Sequence, residues 1–344
     1  MKREYGTKEN SYCVLGFRFW ILGSMLESAP KPKSQHAKPI LFFPYSLFIL
    51  ITAFPLMYQK NITGRWDITV EGSAGSYPSW LEVSNSGDLL TGRFVGRWGA
   101  VHPVKSIRFD GHLFELIIDQ KGENWPHDLV FKGKLADGRL SGTTTWSGEE
   151  QLWTASRAPS LDRSKIPKWG KPIHLFDGTK LAGWKSHPGS KTSQWVVEDG
   201  VLVNQAGGAN LLTEQKFNDF RLQLEFKIDP GSDSGVYLRG RYEIEIEDSF
   251  GKPPDSHRLG GIYGFLTPAS NPAKRAGEWQ SFDATILGRK VTIDLNGVRI
   301  IDNEEIPGIT GGALDSEEGS PGPLMLQGDY GKVSYRQIIV TPAQ

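Results

Sequence analysis

The sequence predicts an all-β protein of two domains, and three features of the chain support that prediction. Short runs of alternating apolar and polar residues recur in both halves, each bounded by Gly, Asn or Asp. No segment after residue 60 has the period of an amphipathic helix of three turns, which argues against a parallel sheet with helical crossovers. Turn residues and aromatic rings are abundant, with 40 glycines, 21 prolines and 11 tryptophans. Strands at this spacing predict barrels or sandwiches.

Residues 61–158 are predicted to form a small antiparallel barrel or sandwich. The domain begins with the alternating run GRWDITVEG at Gly64, and its strands are separated by turns spaced as in a meander. Its opening Gly64-Arg65-Trp66 resembles the start of lipocalin-like barrels, which favours a barrel. Its tryptophans could form a platform for a sugar or fill the core; they are Trp80, Trp98, Trp125, Trp146 and Trp153.

Residues 159–171, rich in Pro and Lys, are predicted to be a linker to a second domain at 172–344. In the run FRLQLEFKI the apolar positions alternate, which places them on one face of a strand; they are Phe220, Leu222, Leu224, Phe226 and Ile228. Asn296-Gly297 between two alternating runs predicts a tight hairpin. The second domain is therefore predicted to be a sandwich or jelly roll.

Residues 1–60 are predicted to be an N-terminal lead that directs export. The uncharged run at 40–57 follows Lys31, Lys33 and Lys38, which is the order of a signal peptide. The run is nearly long enough to span a bilayer, and no small-x-small cleavage site follows it. A cleaved signal and a membrane anchor through 40–57 both stay open, and either predicts a periplasmic, cell-surface or secreted protein.

Charge and cysteine content argue against several classes of function. Lys plus Arg and Asp plus Glu both total 39, so no basic excess favours nucleic acid as a partner. The single cysteine, Cys13, precedes the first domain. Neither domain can therefore use a disulfide, a cysteine nucleophile or a cysteine metal site. The aromatic-rich composition suits a small-molecule carbohydrate as the partner.

The run SGVYLRGRYEIEIEDS at 234–249 is predicted to be one strand with a charged face. Its even positions are mostly apolar and would face the core, whereas its odd positions share the opposite face; the odd positions are Tyr237, Arg239, Arg241, Glu243, Glu245 and Glu247. A solvated outer face is the plain structural alternative. Three glutamates at i, i+2 spacing repel one another and raise one another's pKa. Carboxyls tuned in this way could supply an acid and a base on one surface.

Further polar candidates lie in loops and at strand ends of the second domain. His257 lies in the turn-rich loop GKPPDSHRLGG, where either a functional or a surface histidine is expected. Glu278 and Trp279 begin a strand, and the indole could stack on a pyranose or pack internally. Gln327 and Asp329 come at the end of a strand in LMLQGDYG.

The second domain resembles the 3-keto-disaccharide hydrolase family throughout 174–342. The resemblance rests on the strings HLFDGTKLAGW, FNDFRLQLEFKI, SDSGVYLRGRYEIEIEDSFG, GGIYGFLTP, AGEWQSFDATILGRKVTIDLNG and GPLMLQGDYGKVSYRQIIVTP. It implies a concanavalin-like jelly roll of the lectin and glucanase type, in an exported hydrolase. The implied substrates are glycosides whose C3 hydroxyl has been oxidised to a ketone.

The resemblance also implies a chemistry and a set of site residues. A carboxylate or His would remove the C2 proton, an Arg or a metal would hold the enolate, and the C1 substituent would leave before water adds. The expected catalytic residues are Glu243, Glu245, Glu247 and His257. The expected substrate-binding residues are Arg239, Arg241, Tyr237, Tyr263, Glu278, Trp279, Gln327 and Asp329.

One departure from the family keeps other functions open. Members often read GDHG where this chain reads GDYG, so Tyr330 stands in the place of a histidine. If that histidine transfers protons or binds a metal in the family, the protein with Tyr330 is expected to turn over more slowly, to act on another substrate, or to bind a carbohydrate without cleaving it. No metal motif stands out, although the implied fold often carries calcium, so calcium is the one cofactor it suggests. The alternatives are a non-catalytic carbohydrate-binding protein and a conventional glycoside hydrolase.

Overall fold

The computed structural model describes residues 61–119, 128–163, 165, 167–188 and 192–344. Its first eight strands pair in chain order, and the eighth pairs with the first, so they close into an antiparallel barrel. The strands are β1 (Gly64–Gly72), β2 (Gly75–Ser86), β3 (Leu89–Val95), β4 (Val101–Phe109), β5 (Leu113–Ile118), β6 (Leu129–Ala136), β7 (Arg139–Trp146) and β8 (Glu149–Arg157). Trp66 is fully buried inside, where its indole N–H donates to the Ile62 carbonyl at 2.8 Å. The predicted barrel is confirmed.

The later strands form two further sheets around one apolar core. The five-stranded sheet has the order β10 (Trp184–Ser186), β13 (Leu211–Phe217), β20 (Gly322–Leu326), β15 (Asp233–Leu238) and β16 (Tyr242–Glu247). The eight-stranded sheet has the order β11 (Trp195–Glu198), β12 (Val201–Asn204), β21 (Val333–Pro342), β14 (Phe220–Ile228), β17 (Gln280–Leu287), β18 (Lys290–Leu295) and β19 (Val298–Glu305), and β9 (Ile173–Phe176) also pairs with β21. The predicted all-β sandwich is confirmed.

Two local predictions in the sandwich are confirmed. All five apolar residues of β14 that alternate in sequence are buried. Asn296 and Gly297 have φ angles of 53° and 78° and connect β18 to β19 with Leu295 opposite Val298. Both central residues of this tight turn thus have positive φ, which explains why Asn-Gly is favoured there.

The single strand predicted at 234–249 is wrong, because this segment is a hairpin. β15 ends at Leu238 and β16 begins at Tyr242, and Arg239 and Gly240 take positive φ angles of 54° and 67° in the turn between them. A Cβ at Gly240 would lie 2.4 Å from the Leu314 side chain, so glycine is required there for space as well. Strand β16 is also an edge strand, and the backbone of 260–263 pairs along it.

The barrel packs directly against the sandwich. Trp80 of β2 is fully buried in the apolar core of the sandwich, edge-to-face with Phe265 at 5.4 Å between ring centroids. A Cβ at Gly308 would lie 2.1 Å from the indole nitrogen of Trp80. The described residues of the barrel and the sandwich accordingly belong to one compact unit. The predicted export signal or anchor at 40–57, with Trp125 and Cys13, lies outside the described residues; export stays a prediction.

Among the residues that the structure describes, no helix is long and apolar enough to cross a membrane.

A buried polar network crosses the contact between barrel and sandwich. Glu318 is fully buried and accepts hydrogen bonds from Arg289 at 2.6 and 3.0 Å and from the Tyr242 hydroxyl at 2.7 Å. Asp67 of the barrel also hydrogen-bonds Glu318. Burial and the neighbouring Glu318 raise the pKa of Asp67 to about 9, whereas Arg289 helps to lower the pKa of Glu318. Asp67 therefore stays protonated at neutral pH and donates to the Glu318 carboxylate.

We expect Asp67→Asn to remove one source of pH dependence from stability. The Asp67 proton is retained in the folded chain up to about pH 9 but is lost near pH 4 in the unfolded chain. Stability therefore falls as pH rises through this window. An asparagine still donates to Glu318 but does not titrate. The free energy of unfolding is measured with urea at pH 5, 7 and 9, and that of the variant should rise relative to that of the wild type at each step. The same pH dependence in both proteins would contradict the protonation of Asp67.

Candidate functional site

A cavity of about 180 Å³ lies where the β15–β16 hairpin meets loops of the sandwich and one loop of the barrel. We call it the carboxyl pocket. It is lined by Trp98, Gly99, Asn210, Asp233, Tyr237, Glu243, Glu245, Tyr263, Gly311, Gly312, Gln327, Asp329 and Tyr330. Four of these described lining residues are carboxylic acids and none is Lys, Arg or His. Drug-sized ligands usually occupy about 300–1,000 Å³, so this cavity suits a single small ring.

The hairpin supplies the floor of the carboxyl pocket. Tyr237 pairs with Glu243, and Gly235 pairs with Glu245, so the side chains of one face of both strands point into the cavity. The other face carries Val236, Ile244 and Ile246 into the core. The predicted division into an apolar and a polar face therefore holds along both strands, although the chain turns between them.

Gly235 makes room for the carboxyl group of Glu243. A Cβ at Gly235 would lie 2.2 Å from Oε1 of Glu243, so any side chain there would displace the acid. Opposite, a Cβ at Gly312 would lie 2.6 Å from the Tyr237 hydroxyl. The absence of a side chain at Gly235 and Gly312 thus leaves the space that the Glu243 carboxyl and the Tyr237 hydroxyl occupy.

Glu243 is fixed by a chain of hydrogen bonds. Its carboxyl group hydrogen-bonds the Tyr237 hydroxyl, which donates to the Gly311 carbonyl at 3.0 Å. The contact with Tyr237 by itself lowers the pKa of Glu243. Burial, followed by the nearby Asp233 and Asp329, raises the pKa of Glu243 well above its ordinary range, which agrees with a protonated acid.

Glu245 is buried but not satisfied. Its side chain is 2% exposed, and Oε1 has no hydrogen-bond partner among the described residues. Burial, followed by repulsion from Glu243, raises its pKa well above the ordinary range. Gln327 Oε1 and Asp329 Oδ1 in the same cavity also lack partners within the described structure. Three buried oxygens without partners around one cavity are typical of a site that receives a ligand with several hydroxyl groups.

Asp233 differs from the two glutamates in being partly exposed. Desolvation of its carboxyl group, with repulsion from Glu247 and Asp329, raises its pKa to about 6. It is therefore largely ionised at neutral pH, whereas burial favours the protonated form of Glu243 and Glu245. The cavity thus contains a carboxylate that can accept a proton and carboxyl groups that can donate one.

Two loops complete the wall on the sandwich side. Gln327 N–H donates to the Gly235 carbonyl at 2.9 Å, and Gly331 N–H donates to the Asp233 carbonyl at 2.8 Å, which fixes the 327–331 loop to β15. Asn210 supports the same loop by accepting from Gly328 N–H at 2.9 Å. On the other side, Tyr263 N–H donates to the Glu243 carbonyl at 3.1 Å.

Several predicted site residues lie together in the carboxyl pocket, and the rest lie elsewhere. Those that line it are Tyr237, Glu243, Glu245, Tyr263, Gln327 and Asp329. Glu247 lies next to the pocket and pairs with Lys252 at 2.7 Å. His257 contacts the pocket only through Tyr263, with ring centroids 5.1 Å apart, and its Nδ1 pairs with Asp255.

The prediction that Arg239 and Arg241 lie on the groove floor is wrong. Arg239 is buried in the turn, where it donates to the Gly288 carbonyl at 2.7 Å and to the Tyr242 hydroxyl at 3.1 Å. Arg241 pairs with Asp315 at 2.6 Å. The turn rotates both side chains away from the face that carries the glutamates.

Glu278 and Trp279 also lie outside the carboxyl pocket. The Glu278 carboxylate accepts from Arg275 N–H at 3.0 Å, within its own turn. Trp279 lies under the cations of Lys227 and Arg336, at 5.1 and 4.5 Å from its centroid, beside the eight-stranded sheet. Trp279 therefore has the packing role that was its alternative interpretation.

Sequence reasoning missed three polar or aromatic residues of the pocket. Asp233 precedes the alternating run and reads as a turn residue, but its pairing with Glu247 places it on the polar face. Asn210 reads as a loop residue. Trp98 is expected from sequence to be a platform or a core residue of the barrel, because nothing in the sequence connects the two domains at this point.

Calcium, which the implied fold suggests, stays a prediction. Among the described residues no three His, Cys, Asp or Glu side chains are placed to share a metal ion. Burial raises the pKa of Glu243 and Glu245 in the pocket, whereas calcium prefers ionised carboxylates.

Comparison with known proteins decides the family. A model of the 3-keto-alpha-glucoside-1,2-lyase-like domain matches residues 171–341. This second domain belongs to that family. The lyase-like domain thus confirms the predicted 3-keto-disaccharide hydrolase resemblance. A curated 3-keto-disaccharide hydrolase from Bacteroides thetaiotaomicron is 30% identical over 106 residues. That match covers 28% of this chain and 36% of the length of the relative.

Two solved structures that resemble parts of the chain bear the names of carbohydrate-active enzymes. A proposed glycosyl hydrolase from Parabacteroides distasonis is 26% identical, with a TM-score of 0.43 over 53% of this chain and 93% of that one. A family GH16 endo-beta-1,3(4)-glucanase is 12% identical, with a TM-score of 0.35 over 54% of this chain and 96% of that one.

Proposed function

We propose that the lyase-like domain cleaves glycosides whose C3 carbon is a ketone, by elimination followed by addition of water. The observation that supports this most is the carboxyl pocket itself, which combines an ionised Asp233 with the protonated Glu245 in one small cavity. Membership of the family and the name of the Bacteroides relative support the class of substrate.

The ketone makes the chemistry accessible to carboxyl groups. It acidifies the proton on the neighbouring C2, and Asp233 accepts that proton. The electron pair of the broken C2–H bond then forms the C2=C3 double bond of an enolate, with the negative charge on the C3 oxygen. The enolate then re-forms the ketone, C1=C2 becomes a double bond, and the bond from C1 to the glycosidic oxygen breaks. Glu245 donates its proton to the departing oxygen. Water then adds at C1, C2 regains a proton, and the free 3-keto sugar is released.

The enolate would be held by neutral donors. The predicted arginines lie elsewhere, and the described lining of the pocket contains no cation. Tyr263 and Tyr330 supply hydroxyl groups that stay protonated at neutral pH, because burial and the nearby carboxyls raise the pKa of both. Neutral donors in a desolvated pocket can stabilise an enolate effectively.

The test compares substrates with and without the ketone, using the full chain. A chromogenic 3-keto-glucoside and the matching unoxidised glucoside, both anomers of each, are offered to the wild type and to Glu245→Gln. We expect release of the chromophore only from keto substrates, with turnover lowered in the variant because glutamine cannot donate a proton to the leaving oxygen.

Two results would favour the alternatives. Equal release from keto and unoxidised glucosides would indicate a conventional glycoside hydrolase, which also uses paired carboxyls. Binding of the glucosides with no release from any of them would indicate a non-catalytic carbohydrate-binding protein.

A further inference from the structure

One wall of the carboxyl pocket comes from the barrel, outside the family domain. The loop between β3 and β4 brings Trp98 and Gly99 to the cavity, whereas every other lining residue belongs to the sandwich. The Trp98 side chain is 57% exposed. In contrast, the exposed fraction of Trp66, Trp80 and Trp153 in the barrel is at most 1%. Trp98 therefore differs from the tryptophans that form the cores.

The loop is held in place by its backbone. Gly312 N–H donates to the Arg97 carbonyl at 3.0 Å. A Cβ at Gly311 would lie 2.1 Å from the Gly99 carbonyl oxygen, so the two segments touch closely. The Arg97 guanidinium also stacks on Trp98, 5.1 Å from the ring centroid. The backbone of the loop thus positions the indole at the pocket.

The burial of the lining residues gives the pocket a direction. Glu243 and Glu245 are 3% and 2% exposed and mark its closed end. Trp98 and Tyr330, at 57% and 60% exposed, mark its mouth. A sugar that reaches the acids must therefore have the rest of its glycoside near these two rings. Exposed aromatic rings beside polar groups are suited to packing against the apolar face of another ring.

We propose that Trp98, with Tyr330, forms a subsite for the leaving group, so that the barrel helps to select which glycosides are cleaved. The leaving groups that fit are those with a flat apolar face, either a second pyranose or an aryl ring. This inference rests on the proposed function for its orientation, because the acids must bind the keto sugar.

The experiment measures kinetics of the full chain on two keto substrates, a 3-keto disaccharide and methyl 3-keto-glucoside. Loss of one aromatic contact lowers affinity by up to about tenfold. We expect Trp98→Ala to raise KM for the disaccharide by about tenfold. This increase should be at least five times the increase for the methyl glycoside. Trp98→Phe should restore most of the affinity for the disaccharide. Leu89→Ala, a 72% exposed residue at the other end of β3, is the matched control and should behave as wild type.

Equal losses on the two substrates, or no loss on either, would overturn the subsite. Calorimetric binding of the unoxidised disaccharide to the same variants separates this inference from the proposed function. Affinity that depends on Trp98 in a protein without turnover would uphold the subsite and refute the proposed chemistry. Turnover of the keto substrates together with binding that does not depend on Trp98 would uphold the proposed chemistry and refute the subsite.

Discussion

Asp233→Asn is expected to lower kcat on a 3-keto-glucoside by about 10²- to 10⁴-fold, the usual contribution of a general base, while the glucoside still binds. The amide keeps the size of the side chain but cannot accept the C2 proton. In the wild type, kcat/KM should fall as the pH drops below about 6, because Asp233, with a pKa of about 6, becomes protonated there. A loss of less than tenfold in the variant would assign the base elsewhere.

Glu247→Gln is the matched control for that variant. Glu247 pairs with Asp233 across the hairpin but does not line the carboxyl pocket. Its negative charge helps to raise the pKa of Asp233, so its removal should move the acid limb of the pH profile to lower pH. Turnover at neutral pH should stay within a few-fold of wild type. A loss as large as that of Asp233→Asn would mean that Glu247, as the sequence suggested, takes part in the reaction.

Arg289→Met is expected to lower the free energy of unfolding by about 3–5 kcal/mol, the usual effect of leaving one partner of a buried ion pair alone. Glu318 is fully buried, and two of its hydrogen bonds come from Arg289. The measurement is urea unfolding at pH 7, with Arg299→Met as control. Arg299 pairs with Asp294 and Asp302 on the surface, and solvent screening makes the loss of such exposed pairs cost little stability. Similar losses in both variants would contradict the difference expected from burial.

The elements best predicted from sequence are those whose signals are local. The alternation in β14 and the Asn296-Gly297 turn each depend on residues close in the chain, and both appear as expected. The hairpin at 233–247 was mistaken for one strand because its three-residue turn preserves the alternation, so Tyr237 and Glu243 share a face on either side of it. Gly240 was the signal that could have indicated the turn.

The parts of the site that escaped prediction depend on long-range packing. Arg239 and Arg241 carry the charges that an enolate would need, but the turn directs them to Gly288 and Asp315. Asp233 enters the site through its register opposite Glu247. Trp98 enters it through the docking of a separate domain. None of these relations is expressed by spacing along the chain.

The strand pairing has a consequence for how the protein behaves at high concentration. Unpaired strand edges invite other chains to pair with them, and natural proteins block such edges with short strands, charges or covering loops. The barrel leaves no open edge, because β8 pairs with β1. In the sandwich, the edge strand β10 is three residues long, β9 and β11 are four residues long, and the backbone of 260–263 covers β16. The remaining edge strand, β19, carries a row of polar and charged residues: Arg299, Asp302, Asn303, Glu304 and Glu305. The sheets in the described part of the protein are in this way protected against aggregation through their edges.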